Sequence, residues 1–465
     1  MTKFHFLKLL LLLSLLPTLL ASEPKERPNV ILIITDDQGY GEMSAHGHPY
    51  LETPHMDRLH GESVRMTDFH VDSTCSPTRA ALLTGRYSTR TGVWHTINGR
   101  SMMRTEELTM AEVFQANGYA TAMLGKWHIG ANYPFRPSDQ GFEHTIWHKD
   151  GAIGGIPDYW GNDYYDDTYM TNGEWQQYEG YCTDVWFEEA TKFVEAHQDE
   201  PFFLYLSTNA PHGPYIVDER YSAPFMEMDM PENLAKFYGM IVNIDENLGK
   251  FRQQLEAMGV ADNTLLIFMT DNGTTAGWIC QKSGYEYYNA GMRGWKSSAW
   301  EGGHRVPIFW HWPEGGLTEG RDIPELTAHI DVLPTLVEML DLKKPEGPKV
   351  DGISLSEAVM GTKANTIPDR TLYLINGPWA VDVAEEGLYE ISLYRWPPYL
   401  GKAMGMKSAR LRVGDFEATK DLPNEATEAR FLVKLNAGPN MLQTWLERTN
   451  GDSSGAYYLK ARHVR

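Results

Sequence analysis

Two stretches of this 465-residue chain are apolar from end to end and then stop on acid. Val30-Ile31-Leu32-Ile33-Ile34 runs into Thr35-Asp36-Asp37, and Leu265-Leu266-Ile267-Phe268-Met269 runs into Thr270-Asp271-Asn272. A strand without polar alternation has no solvent face, so each run predicts a strand covered on both sides, as in a parallel sheet packed between helices. Residues 119–124 and 201–206 read the same way, leading into Gly125-Lys126-Trp127-His128 and into Ser207 through His212. Between them lie stretches with helical spacing: 107–117, 184–197 with Thr183 as a cap, 231–258 and 331–340. This alternation predicts an α/β fold, a mainly parallel central sheet flanked by helices. In such sheets ligands gather at the carboxyl ends of the strands.

The rest of the chain bounds what that sheet can serve. A formal net charge of −21 excludes nucleic acid as a partner, because its phosphates would be repelled. Any anionic substrate must therefore meet a local positive pocket. Lys3 and Lys8, an apolar core over 9–20 and the small pair Ala21-Ser22 predict a signal peptide over 1–22, hence a periplasmic or secreted protein. Pro17 interrupts the apolar core, which is short for a stable membrane anchor. Three cysteines are too few for a disulfide scaffold. Cys182 and Cys280 either pair or stand as separate buried thiols.

The third cysteine has a more specific setting. In Ser73-Thr74-Cys75-Ser76-Pro77-Thr78-Arg79-Ala80-Ala81-Leu82-Leu83-Thr84-Gly85-Arg86, Pro77 suits a first helical turn and Gly85 a stop. Cys75 therefore sits at a helix N-terminus, where negative charge is favoured, with Arg79 one turn on. A lone cysteine there is ordinarily a small buried hydrophobe. Likewise Asp-Asp or Asp-Asn after one strand is ordinarily a turn. Two such pairs ending equivalent strands instead offer hard oxygen ligands for Ca²⁺ or Mg²⁺.

The run Cys-x-Pro-x-Arg, a short apolar helix and Thr-Gly-Arg resembles the signature of the type I, formylglycine-dependent sulfatases of the alkaline-phosphatase-like superfamily. Thr78 stands where many members carry Ser or Ala. The resemblance covers residues 27–370 and implies several things. Cys75 is oxidised to formylglycine (3-oxoalanine) by a formylglycine-generating or anaerobic sulfatase-maturating enzyme. A divalent cation, calcium rather than magnesium, is held by Asp36, Asp37, Asp271 and Asn272 with the modified Cys75. Gly-Lys-Trp-His and Pro-His-x-Pro mark Lys126, His128 and His212, and the loop before Glu301-Gly302-Gly303 marks Lys296. By this likeness Arg79, Lys126 and Lys296 supply positive charge, His212 protonates the leaving oxygen and His128 serves the second hydroxyl. The reaction implied is hydrolysis of a sulfate monoester, on a sulfated carbohydrate or an aryl sulfate.

Between Trp94 and Trp175 the chain is dense in aromatic and polar groups. Long loops of that composition over a rigid sheet suit a sugar ring, and His95, Asp150 and Trp160 are the expected lining. Residues 377–465 break into short runs separated by Gly, Asn and Pro, which predicts a smaller C-terminal β-rich module. The family's usual segment before the C-terminus looks shortened over 371–377. Two other functions stay open on this reading. One is a phosphonate or phosphate ester hydrolase of the same superfamily. The other is a non-catalytic protein, its Cys75 unmodified, that binds sulfated glycans.

Overall fold

The computed structural model describes residues 27–97, 99–362, 367–370, 372, 379–396 and 398–464. The signal peptide expected over 1–22 lies outside them, as does the segment 371–377 apart from Leu372. Among the described residues no helix is long and apolar enough to cross a membrane.

The chain opens with β1 (Asn29–Thr35), α1 (Pro54–Gly61), β2 (Val64–Met66), β3 (Phe69–His70), α2 (Cys75–Thr84) and α3 (Met110–Ala116). It continues through β4 (Ala120–Lys126), β5 (His144–His148), β6 (Thr168–Thr171), β7 (Glu174–Gln177), α4 (Cys182–Ala196) and β8 (Phe202–Ser207). Next come α5 (Glu219–Met226), α6 (Glu232–Ala257), β9 (Thr264–Thr270), α7 (Ala276–Ser283) and α8 (Glu301–His304). The first unit closes with β10 (Ile308–His311), β11 (Arg321–Ile323), β12 (Thr327–Ala328), α9 (Val332–Met339) and α10 (Ser356–Val359).

Ten of these strands form one sheet in the order β11-β2-β10-β9-β1-β8-β4-β5-β6-β7. The five central strands, β9 to β5, are parallel, while β10, β6 and β7 join antiparallel. Every residue of β1 is buried, and alternate side chains feed two different cores. Ile31 and Ile33 pack with residues of α4 and α6, whereas Val30, Leu32 and Ile34 pack with residues of α2, α3 and α9. The absence of polar alternation is thus the mark of helices on both faces.

Three local expectations are corrected. The helix expected over 107–117 starts only at Met110, because Thr109 caps it: its hydroxyl accepts from the Glu112 amide at 3.2 Å, while its own amide donates to the Glu112 carboxylate at 2.7 Å. Thr183 lies inside α4 rather than capping it, since the helix already begins at Cys182 behind Tyr181. Trp147 and His148 belong to β5 rather than to a loop, pairing in parallel with Gly125 and Lys126.

From residue 379 the architecture changes. β13 (Trp379–Val383), β14 (Gly387–Tyr394), β15 (Ser408–Val413), β16 (Phe416–Asp421), β17 (Ala429–Leu435), β18 (Gly438–Glu447), β19 (Ser453–Ser454) and β20 (Tyr458–Val464) form two antiparallel sheets. One has the order β13-β18-β15-β16, with β19 on β18, and the other β17-β14-β20. They share a separate core that includes Ile391, Leu393, Leu411, Val433 and Leu446. This unit touches the first through aromatic contacts. The Arg100 guanidinium lies 4.9 Å from the Trp94 ring and 4.7 Å from the Tyr458 ring, and the His95 and Tyr457 rings are 6.2 Å apart.

Candidate active site

The carboxyl ends of β1, β9, β4 and β8 converge with the N-terminus of α2. Asp36 and Asp37 follow β1, Asp271 and Asn272 follow β9, Lys126 ends β4, and Ser207 ends β8. All six side chains are buried, as are Cys75 and Arg79. Gly125 is required just before Lys126: its φ is +99°, and a Cβ there would lie 2.0 Å from the Ser207 carbonyl oxygen of the neighbouring strand. Asp37 itself takes a left-handed φ of +69°, a conformation that a residue with a side chain adopts at a cost. That turn directs its amide to the Asp271 carboxylate at 3.1 Å and its carboxylate to Asn272 at 2.9 Å.

Each carboxylate has its own cation. Lys126 Nζ lies 2.5 Å from Asp36 Oδ2, and Lys296 Nζ lies 2.5 Å from Asp37 Oδ1. Arg79 donates to Asp271 Oδ2 from Nε at 3.1 Å and from Nη2 at 2.8 Å. Its Nη1 is taken up by the Lys126 carbonyl at 3.1 Å and by the Ser207 hydroxyl. Arg79 is therefore committed to holding Asp271 in place and, being fully buried, offers no exposed edge to a substrate.

The two histidines differ in tautomer and in neighbour. His128 Nε2 lies 3.1 Å from the Thr96 carbonyl, which can only accept, so Nε2 carries the proton and Nδ1 is bare. That bare nitrogen faces Cys75 Sγ at 3.3 Å. His212 Nδ1 donates to the Gly213 carbonyl at 2.6 Å, which turns Nε2 toward Asp37 Oδ2, 3.6 Å away. Burial holds both imidazoles neutral. It lowers His128 well below the usual range with help from Lys126 and Arg79, and it brings His212 to about 3 against the opposing pull of Asp37.

The charges of the centre are unevenly balanced. Burial raises Asp36 well above the carboxylate range; Lys126 opposes this, but Asp271 and Asp37 reinforce it. Burial acts on Asp37 too, yet Lys296, His212 and Lys126 outweigh it and bring that carboxyl to about 2. Burial raises the Cys75 thiol as well, despite both lysines. One ligand atom from each of Asp36, Cys75 and Asp271 lies within 4.8 Å of the others. Asp36 Oδ1 and Asn272 Oδ1 are buried with no hydrogen-bond partner. Crowded carboxylates with orphaned oxygens fit a hard divalent cation, which would satisfy those oxygens and favour the ionised state of Asp36.

Of the expected site residues, Asp36, Asp37, Cys75, Arg79, Lys126, His128, His212, Asp271, Asn272 and Lys296 meet in this cluster. The expected pocket lining is not so gathered. Trp160 is 96% exposed, because its loop is organised around Asp158, which accepts from the Gly154 and Lys149 amides and from Asn162. The Asp150 carboxylate lies against Gly155, and His95 turns toward Tyr457. Ser207, which fixes Arg79, and His148, fully buried in register with Lys126, also belong to the neighbourhood, although sequence reasoning does not single them out. Ser207 follows an apolar run and can be found as another strand end; nothing local distinguishes His148, whose place depends on the β4–β5 register.

This fold and this cluster define an α/β enzyme whose charged centre lies on the carboxyl edge of its sheet. The family model described as Sulfatase matches residues 28–342. Arylsulfatase G of Rattus norvegicus is 31% identical over 372 residues, 72% of this chain and 69% of that protein. N-acetylgalactosamine-6-sulfatase of Mus musculus is 28% identical over 418 residues, 84% of this chain and 76% of that one. The crystal structure of Ps i-CgsB in complex with k-i-k-neocarrahexaose superposes with a TM-score of 0.65 at 27% identity, covering 73% of this chain and 77% of that one. The chain belongs to the sulfatase family and is a sulfuric ester hydrolase. That family generally uses formylglycine and a divalent metal.

Proposed function

We propose that this protein removes sulfate from a sulfated carbohydrate, using a formylglycine made from Cys75 and a calcium ion held by Asp36, Asp37, Asp271, Asn272 and that modified side chain. The observation that carries the reading is the placement of Cys75 Sγ, 3.3 Å from a bare histidine nitrogen and in the same ligand group as Asp36 and Asp271. When bound, the cation would act as Lewis acid and template for the sulfuryl oxygens, and the hydrated aldehyde would supply the nucleophile together with a second hydroxyl through which sulfate can leave.

The chain's own groups divide the remaining work. Lys126 and Lys296 aim ammonium groups into the centre, where negative charge grows in the transition state. Arg79 is a positioning residue that orders Asp271 and the end of β4. The bare Nδ1 of His128 can accept a proton from a hydroxyl at position 75, a role set by the Thr96 carbonyl on its other nitrogen. His212 must deliver its proton from Nε2. An incoming sulfate adds negative charge beside that ring and favours the protonated state, which the free site suppresses.

The carbohydrate substrate is supported by the likeness to Ps i-CgsB, a structure solved with k-i-k-neocarrahexaose. Maturation by a formylglycine-generating or anaerobic sulfatase-maturating enzyme, and export through a signal peptide over 1–22, complete the reading. Mass spectrometry of the Cys75 peptide, after expression with a maturating enzyme, tests the nucleophile. Free sulfate released from a panel of sulfated oligosaccharides tests the substrate class. An aldehyde at position 75 and sulfate release are expected; a thiol throughout fully active protein would overturn the mechanism.

A further inference from the structure

Behind the loop that carries Lys296 lies a second convergence of ligating groups. His70, at the end of β3, and His304, at the end of α8, bring their Nδ1 atoms to 2.9 Å. His70 Nε2 lies 3.1 Å from the Asp68 carboxylate. An ionised carboxylate only accepts, so the His70 proton sits on Nε2 and its Nδ1 presents a lone pair to His304. One ligand atom from Glu301, a turn before His304, completes a group whose three atoms all lie within 4.8 Å of one another.

We propose that His70, His304 and Glu301 form a zinc site, separate from the cluster around Cys75, that clips the lead-in to α2 onto the segment following Lys296. Two imidazole nitrogens and one carboxylate are a donor set suited to Zn²⁺, and imidazole donors argue against calcium. Zinc–nitrogen bonds of about 2.0–2.1 Å at a tetrahedral angle separate two ligand nitrogens by about 3.3 Å, so the rings need open only slightly. The Asp68–His70 contact is the outer carboxylate that commonly orients a metal-bound histidine and fixes its tautomer. Arg305 lies 3.7 Å from Asp68 and 3.6 Å from Glu301, and donates to the Thr67 carbonyl. Its charge balances the two carboxylates and works against the ion, which makes affinity rather than geometry the quantity to measure.

The site would matter because of what it joins. The Val71 amide donates to the His304 carbonyl at 2.8 Å, and the Ser297 amide donates to the Ser73 carbonyl at 2.8 Å. The same two segments position Cys75 and Lys296, so the ion would reinforce an existing backbone seam.

The test uses the full-length protein, stripped with chelator, given saturating calcium to fill the Asp36 centre, then dialysed against micromolar zinc. Elemental analysis should find one zinc ion per chain, and thermal unfolding should shift upward on zinc addition. His70→Ala and His304→Ala should lose both effects, and cobalt in place of zinc should give a tetrahedral visible band that the same variants lack. Asp68→Asn should weaken zinc binding by about 10–100-fold. Should the histidine variants fail to fold, Glu301→Gln at a half-exposed position reads the same loss of affinity. Wild-type protein that takes up no zinc under these conditions, or zinc uptake unchanged by all of these substitutions, would overturn the site and leave a proton shared between two imidazoles.

Discussion

β1 and β17 are both seven-residue strands, yet they treat water in opposite ways. In β1 every position is buried, while in β17 burial alternates strictly along Ala-Arg-Phe-Leu-Val-Lys-Leu. A strand with a wet face can carry its charges along its length. A strand sealed on both faces can place them only at its tips. Here the tips of β1 and β9 hold the acids, those of β4 and β8 hold Lys126 and Ser207, and the cations that neutralise the acids are nearly as buried as the acids themselves. The C-terminal sheets instead carry exposed pairs such as Lys434–Glu386, whose contribution to stability is small.

Four substitutions would break or sharpen that contrast. Cys75→Ala should cost at least about four orders of magnitude in sulfate release while circular dichroism stays native, because on the proposed mechanism it removes the nucleophile carried at the N-terminus of α2. Next comes pH. Burial raises Glu42, near the end of β1, from 4.5 to about 8, with Thr274 and the Gly39 amide opposing the shift. Between those values the folded chain keeps the proton and the unfolded chain has lost it. The stability from this group is therefore full below about pH 4.5 and is lost as pH rises toward 8, by up to about 5 kcal/mol. Glu42→Gln should flatten that slope in denaturant titrations across the range.

Lys296→Ala should lower kcat/KM by roughly a hundredfold, about 3 kcal/mol, measured by initial rates of sulfate release. Ile391→Val, in the fully buried heart of the C-terminal core, should cost about 1 kcal/mol in chemical denaturation and leave kcat unchanged. A large change in kcat from Ile391→Val would erase the distinction between the two regions.

The same contrast explains which parts of the molecule are legible in its sequence. Apolar runs ending in Asp36-Asp37 and Asp271-Asn272 are legible because the constraint is local: seven sealed residues, then charge. Cys75 and Arg79 are legible because a turn, a proline and a glycine bracket one helix. His148 is not, since its place beside Lys126, 22 residues earlier, follows from the parallel register between β4 and β5. The 96% exposure of Trp160 is not legible, because loop composition says that an aromatic is available, not which way the loop aims it. Family likeness gives Arg79 the role of a positive charge; that its guanidinium is tied to Asp271 and Ser207, 192 and 128 residues away, is a long-range fact that no local pattern carries.

The cluster of Trp94, Arg100 and Tyr458 brackets Thr96, whose carbonyl dictates which nitrogen of His128 carries hydrogen. The appended sandwich is thereby mechanically in series with a proton's address in the neighbouring unit. Loosening its grip on that loop would leave every ligand of the centre in place and still take away the carbonyl that keeps the His128 proton on Nε2.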